Sequence, residues 1–185
     1  NECDAYRMEH DIAQRIIREG ERIATIVGSL LSFASSRNEE KIQVNLHQIM
    51  SETLALTQTQ IHNSGIDLQV SVSADLPEIV GHPQRIQQVF LNIISNARYA
   101  LNQKNPTEGE ERKLLDISAV LITIDDQPYA RIVFLDTGTG IAADIIDRVL
   151  EPFFSTKPAG KGTGLGLSVS HGIIRDHHGK LSIES

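Results

Sequence analysis

Residues 151–172, EPFFSTKPAGKGTGLGLSVSHG, carry four glycines on alternate positions (Gly160, Gly162, Gly164 and Gly166) that run straight into a helical pattern. Backbone so bare of side chains lets amides close on an anion. A helix that begins just beyond them adds its positive end. The aromatic pair Phe153-Phe154 and Lys157 come first, so the stretch reads as a flexible lid followed by a phosphate cradle. A plain linker is the competing reading, because a lone Gly-x-Gly-x-Gly is a weak signal. Two further stretches agree with the cradle.

The rest of the chain sets limits on what such a cradle can serve. At 185 residues with a net charge of −7, the chain can bury a sizeable core and is a poor match for nucleic acid. No apolar run approaches the roughly 20 residues that span a bilayer, and the polar, acidic N-terminus is unlike a signal peptide. The single cysteine, Cys3, rules out an internal disulfide and a thiolate metal site. A reducing, cytoplasmic setting is expected, which a membrane-anchored parent protein would also satisfy.

Residues 4–36 read as one long helix. Ile12, Ile16, Glu19, Ile23, Ile26, Leu30 and Phe33 advance in alternating steps of four and three, a heptad seam that Ile17, Ala24, Val27, Leu31 and Ala34 broaden. One helix cannot bury such a stripe, and no second heptad helix occurs. A homodimer through this helix, or a partner helix from further chain, is expected; packing on the following domain is the alternative. The run SSRNEE at 35–40 breaks the pattern and divides the chain into 1–40 and 41–185.

In the second part, Asn45 caps a helix, with Gln48 placed to complete a capping box, and Gly65 ends it. Ile66, Leu68, Val70 and Val72 alternate as a half-buried strand, and 78–80 make a short one. His82-Pro83 opens a helix whose apolar face is Ile86, Val89, Phe90, Ile93, Ile94, Ala97 and Leu101. Arg85, Gln88, Asn92, Asn96 and Tyr99 fall on another face. Residues 103–113 read as a surface loop. Residues 114–124 and 129–135 are strands joined by a turn at 125–128. A short helix over 142–150, a helix over 165–178 closed by Gly179, and a strand starting at 181–184 complete the pattern.

Asn92 and Asn96, four apart on a helix, project their carboxamides from one side. Amide oxygens are hard, neutral ligands that suit Mg²⁺ held mainly by phosphates and water; capping of neighbouring backbone is the other use of such a pair. Asp136 ends a strand at a glycine turn, where its carboxylate can accept from the exocyclic amine of adenine or simply shape the turn. Gly138 and Gly140 would let the backbone lie against the purine. Lys157 is a point charge suited to phosphate, or an ordinary solvated lysine.

The order and spacing of LNIISNARYAL, FLDTGTGI and EPFFSTKPAGKGTGLGL resembles the N box, first glycine box, F box and second glycine box of sensor histidine kinases. The resemblance covers about residues 5–184. It implies an α+β fold class: a long heptad helix, part of a dimerisation and histidine-phosphotransfer hairpin over 1–40, then a two-layer α/β sandwich over 41–185 with its C-terminal strand truncated. Carried over by position, it implies that Asn96 is the principal Mg²⁺-holding and catalytic asparagine and Asn92 its helper. Asp136 then reads adenine, with Gly138 and Gly140 beside the base. Phe153 and Phe154 are the aromatics that steer the lid, Lys157 is its catalytic lysine, and Gly162, Thr163, Gly164, Leu165 and Gly166 form the phosphate side.

Departures accompany the match. Thr137 stands where Asn usually follows the aspartate. Tyr99 stands where some members carry a basic residue. The acceptor motif, a histidine followed by an acid and a nearby proline, is missing: His10-Asp11 has no such proline. The expectation is therefore a Mg-ATP-binding kinase region that phosphorylates a histidine outside this sequence, for relay to the aspartate of a response-regulator receiver domain, and that cannot phosphorylate itself. The alternatives are another ATPase or serine-directed kinase of the same group, or a non-catalytic dimerisation module with a degenerate nucleotide pocket.

Overall fold

The computed structural model describes residues 40–104, 112–158 and 162–185, with Ile12, Ile17 and Gly20 as isolated helical positions. The two isoleucines are exposed. The rest of the heptad seam, the 35–39 break and Gly160 lie outside the described residues.

The elements run β1 (Ile42–Val44), α1 (Leu46–Asn63), β2 (Asp67–Val72), β3 (Ile79–Gly81), α2 (Pro83–Lys104), β4 (Leu114–Ile124), β5 (Gln127–Asp136) and α3 (Gly166–Asp176). Strands β2, β4 and β5 form a mixed sheet, with β4 central, parallel to β2 and antiparallel to β5. The three helices make the second layer, giving the expected two-layer α+β architecture. Between the layers lies one core. Alternation along β4 buries Leu115, Ile117 and Ala119. Helical periodicity along α2 brings Ile86, Val89, Phe90, Ile94, Ala97 and Leu101 down onto them. Phe90 packs on Phe134 of β5 with ring centroids 5.7 Å apart. Leu101, Leu115 and Ile117 are wholly enclosed, so truncating any one to alanine would cost about 2–5 kcal/mol.

Local chemistry sets the element ends. Asn45 caps α1 by accepting the Gln48 N–H, but the Gln48 carboxamide turns forward to Glu52, so only half of the capping box forms. At the other end, Gly65 N–H reaches His62 O and Ile66 N–H reaches Ile61 O, with Gly65 at φ +62°. That is a Schellman closure, and it directs Ile66 into the core. The β4–β5 turn needs only Asp125 and Asp126, at φ +49° and +60°; both aspartates adopt the left-handed conformation of a two-residue hairpin. Gln127 and Pro128 therefore belong to β5 rather than to the turn.

Several expectations need correction. Strand β1 is an addition: three residues, pairing antiparallel with β3, are too short to show a period. Residues 142–150 form turns and a single 3-10 turn at Ile146–Arg148, because their bonds close over three residues (Ile145 N–H to Ala142 O, Arg148 N–H to Ile145 O). The helix α2 runs to Lys104, and Lys113 is buried rather than on a surface loop, its ammonium donating to Ser64 O and Asn102 Oδ1. Arg85 is also buried, against Asp176 at the end of α3. Val70 is exposed, since β2 is an edge strand. The left-handed residue that closes α3 is His178, at φ +58°, one position before Gly179. Among the described residues, 181–185 pair with no strand; Ser185 Oγ instead accepts the Ile141 N–H.

Candidate functional site

Three of the segments that carry predicted site residues meet one side of α2. Asn92, Asn96 and Ala100 stand at intervals of four, stacked over about 12 Å of helix. Each meets a different loop. Asn92 Nδ2 donates to the Gly166 carbonyl at 3.1 Å and to Ser170 Oγ at 3.2 Å, which fixes the start of α3. Asn96 Oδ1 accepts from the Lys157 ammonium at 2.7 Å. Ala100 lies against Gly138, where an added Cβ would stand 2.6 Å from the Ala100 Cβ. The glycine at 138 is thus demanded by helix packing, independently of any base beside it.

The turn after β5 is organised by two side chains. Asp136 Oδ1 accepts the Gly138 N–H at 2.9 Å, the turn-shaping use of that residue. Thr137 Oγ1 accepts the Leu114 N–H and donates to Arg112 O, tying the turn to the start of β4. A hydroxyl therefore does the supporting work at the position where the resemblance leads one to expect Asn. Gly140, at φ +67°, places the following chain beside Ser185.

The segment from 153 to 164 is pinned at its ends, with the Phe153 N–H donating to the Gly164 carbonyl at 2.9 Å. Both residues have positive φ, +67° and +69°. For an aromatic residue this conformation is strained. A Cβ on Gly164 would meet the Phe153 backbone at 2.4 Å, so only glycine fits there. The Phe153 ring is exposed. The Phe154 ring instead lies under the Arg148 guanidinium, 4.4 Å away, with Arg148 also near Glu151. Gly162 packs on the Lys157 stem, and Thr163 Oγ1 accepts the Leu165 N–H. Leu165 is buried and precedes α3, whose first turn receives no side-chain cap.

Lys157 also stands over the Tyr99 ring, Nζ 4.5 Å from the centroid. Burial, reinforced by the nearby Arg98 charge, holds its pKa below the usual lysine range. Ser170 is the member of this cluster that sequence reasoning missed, and the contact of Tyr99 with Lys157 was not foreseen. Ser170 could have been found, since it lies four residues after Gly166 on the same helix face; Tyr99 was placed on the face of Asn92 and Asn96, but nothing in the sequence tied it to Lys157.

Residues 81–185 match the family described as histidine kinase-, DNA gyrase B-, and HSP90-like ATPase. The chain belongs to this ATPase family. It is 31% identical over 176 residues to the sensor histidine kinase ZraS of Escherichia coli (strain K12), an alignment covering 95% of this chain and 35% of that protein. With sporulation kinase E of Bacillus subtilis (strain 168) it shares 33% over 172 residues, covering 92% and 21%. The nucleotide-free catalytic domain of histidine kinase ThkA superposes with a TM-score of 0.59 at 26% identity, covering 75% of this chain and 82% of that one. ThkA in complex with the response regulator protein TrrA gives 0.66 at 25% identity, covering 89% and 43%. The chain spans about a third and a fifth of the length of the two curated relatives. What it carries is the ATP-binding catalytic region of the histidine-kinase type. No helix among the described residues is long and apolar enough to cross a membrane.

Proposed function

We propose that this chain binds Mg-ATP and transfers its γ-phosphoryl group to a histidine nitrogen outside these residues, as the kinase region of a two-component sensor. The observation that carries the reading is the row along α2, in which the α3 start, Lys157 and the Asp136 turn each meet the helix one turn apart. Adenine would lie at the turn, with Asp136 accepting from its amine beside Gly138 and Gly140. The phosphates would face the backbone of Gly162, Thr163, Gly164, Leu165 and Gly166 and the uncapped first turn of α3.

The residues fit a magnesium ion. Asn96 Oδ1 already accepts from a cation, the Lys157 ammonium, at 2.7 Å. Asn92 has its amide nitrogen committed to α3, which leaves its oxygen for a ligand role. Among the described residues no group of three or more His, Cys, Asp or Glu could hold a metal, so the two amide oxygens would hold the ion weakly by themselves and more firmly together with phosphates. Held by Asn96 and Asn92, it would neutralise the charge that develops on the phosphates. Lys157 adds a second positive charge, and Phe153 and Phe154 hold the segment that carries it. The nitrogen–phosphorus bond forms as the bond to ADP breaks, and the chain's own contribution is positioning.

The same reading assigns 1–40 to a partial phosphotransfer hairpin that dimerises, 41–185 to the catalytic domain, a receiver-domain aspartate as the onward acceptor, and the cytoplasm as the setting. None of the seven histidines carries the acceptor pattern, so these residues alone are expected to bind ATP without phosphorylating themselves. Calorimetry of ATP with and without Mg²⁺, on this chain and on Asn96→Ala, tests the core of it. Magnesium-dependent binding lost in the variant supports the reading; magnesium-independent binding, or none, overturns it. Radiolabel appearing on the chain's own histidines would overturn the missing-acceptor part.

A further inference from the structure

Lys157 occupies the atom on which the proposed metal depends, and a second residue accounts for its being there. The ammonium lies between the Asn96 carboxamide oxygen, at 2.7 Å, and the face of the Tyr99 ring, at 4.5 Å. Tyr99 follows Asn96 by three positions, so both groups reach the same point beside α2. A ring face is electron-rich and attracts a cation, while an amide oxygen supplies a directed acceptor. The surroundings do not otherwise favour a positive charge: the stem packs on Gly162, and the Arg98 guanidinium nearby repels it. Two neutral groups therefore hold a lysine that one neighbouring cation pushes away. An arrangement of that kind is easily exchanged.

We propose that Asn96 Oδ1 is a cation site shared between the Lys157 ammonium and a divalent ion, and that Tyr99 is the positioning residue that sets the balance between them. The inference rests on the Mg-ATP reading above. Without metal, the ammonium holds the amide oxygen in the orientation a metal needs and keeps the chain's own cation on it. When a divalent ion takes the oxygen, Lys157 is released, with its charge free to meet the phosphates that accompany the metal. Tyr99 thus performs a task quite unlike that of a basic residue at its position: it parks a cation instead of supplying one.

The competition is measurable without any phosphoryl transfer, using Mn²⁺ as the probe and following free Mn²⁺ by electron paramagnetic resonance. With no nucleotide present, Lys157→Met should bind Mn²⁺ roughly tenfold more tightly than the unaltered chain, the ratio expected on removing a rival that makes one charge-assisted hydrogen bond. Tyr99→Leu should tighten binding by about threefold, in line with a partly exposed cation–ring contact. Tyr99→Phe, which keeps the ring face, should bind like the unaltered chain. Circular dichroism melts on the same proteins show whether each variant is folded. Equal Mn²⁺ affinity for the folded unaltered chain, Lys157→Met and Tyr99→Leu, with binding still enhanced by ADP, would overturn the exchange while leaving the Mg-ATP reading intact. No Mn²⁺ binding by any of them even with ADP would overturn both.

Discussion

The backbone N–H of His82 donates to Nε2 of His177 across 2.9 Å, joining the start of α2 to the end of α3. Nδ1 of the same ring lies 2.7 Å from the Ile173 carbonyl. An imidazole that donates at Nδ1 and accepts at Nε2 is neutral with its tautomer fixed. The His82 ring meets it edge-on at 5.6 Å.

A pH dependence follows. Burial holds the His177 pKa below its ordinary value; the Ile173 carbonyl opposes this, and Lys41, His82 and Arg85 add to it. At pH 8 the ring is neutral in both folded and unfolded chains. Below about 6.5 the unfolded ring takes a proton first, so stability is lost as the pH falls from there toward the folded pKa. Urea midpoints at pH 7.5 and 5.5 should therefore fall further for the unaltered chain than for His177→Gln. Parallel shifts in the two proteins would refute this.

The clamp between α2 and α3 makes a second prediction. Asn92 reaches Gly166 O and Ser170 Oγ through one nitrogen, and Ser170 is wholly buried. Asn92→Asp keeps the shape but removes both donated hydrogens and sets a carboxylate against the Gly166 carbonyl. The loss should be about 1–3 kcal/mol of stability by urea denaturation. Combined with Ser170→Ala, the two effects should be non-additive. Simple additivity would mean that the clamp carries no energy of its own.

Lys113 gives a third. Its ammonium is buried between Ser64 O and Asn102 Oδ1, bridging the end of α1, α2 and the start of β4. Lys113→Met retains the stem and strands the two acceptors, at a cost of roughly 1–3 kcal/mol. A variant as stable as its parent would show that water replaces the ammonium.

These contacts mark where sequence reasoning stopped. The seven-residue apolar face of α2 was legible because helical period and burial coincide, and the long strands β4 and β5 because two β-rich runs flank a turn signal. Asn92, Asn96, Asp136, Lys157 and the glycines could be picked out by residue type and spacing. What each touches could not. Arg85 and Lys113 look like surface residues because charge usually means exposure, and their burial depends on acceptors that come from distant parts of the chain. Strand β1 is too short for a period, and the glycine at 138 answers to Ala100, a neighbour 38 residues earlier that no local pattern links to it.

Two glycines that look alike in the sequence should respond in opposite directions to the same substitution. Gly172 lies within α3 with nothing within 4 Å of an added Cβ. Alanine there removes backbone freedom from the unfolded chain and adds no clash, so Gly172→Ala should raise stability by about 0.5–1 kcal/mol. At Gly138 the added carbon would stand 2.6 Å from the Ala100 Cβ and 2.8 Å from its backbone carbon, with the Asp136 carboxylate equally close. The turn cannot yield without moving Asp136, whose carboxylate accepts the Gly138 N–H, so Gly138→Ala should lose about 1–3 kcal/mol. It should also weaken ATP binding by more than any folded-state loss explains, because the carboxylate moves with the turn. Thermal melts of both variants, with ATP calorimetry below their melting ranges, check the pair. Equal effects at the two positions would mean that the turn after β5 is not seated on α2.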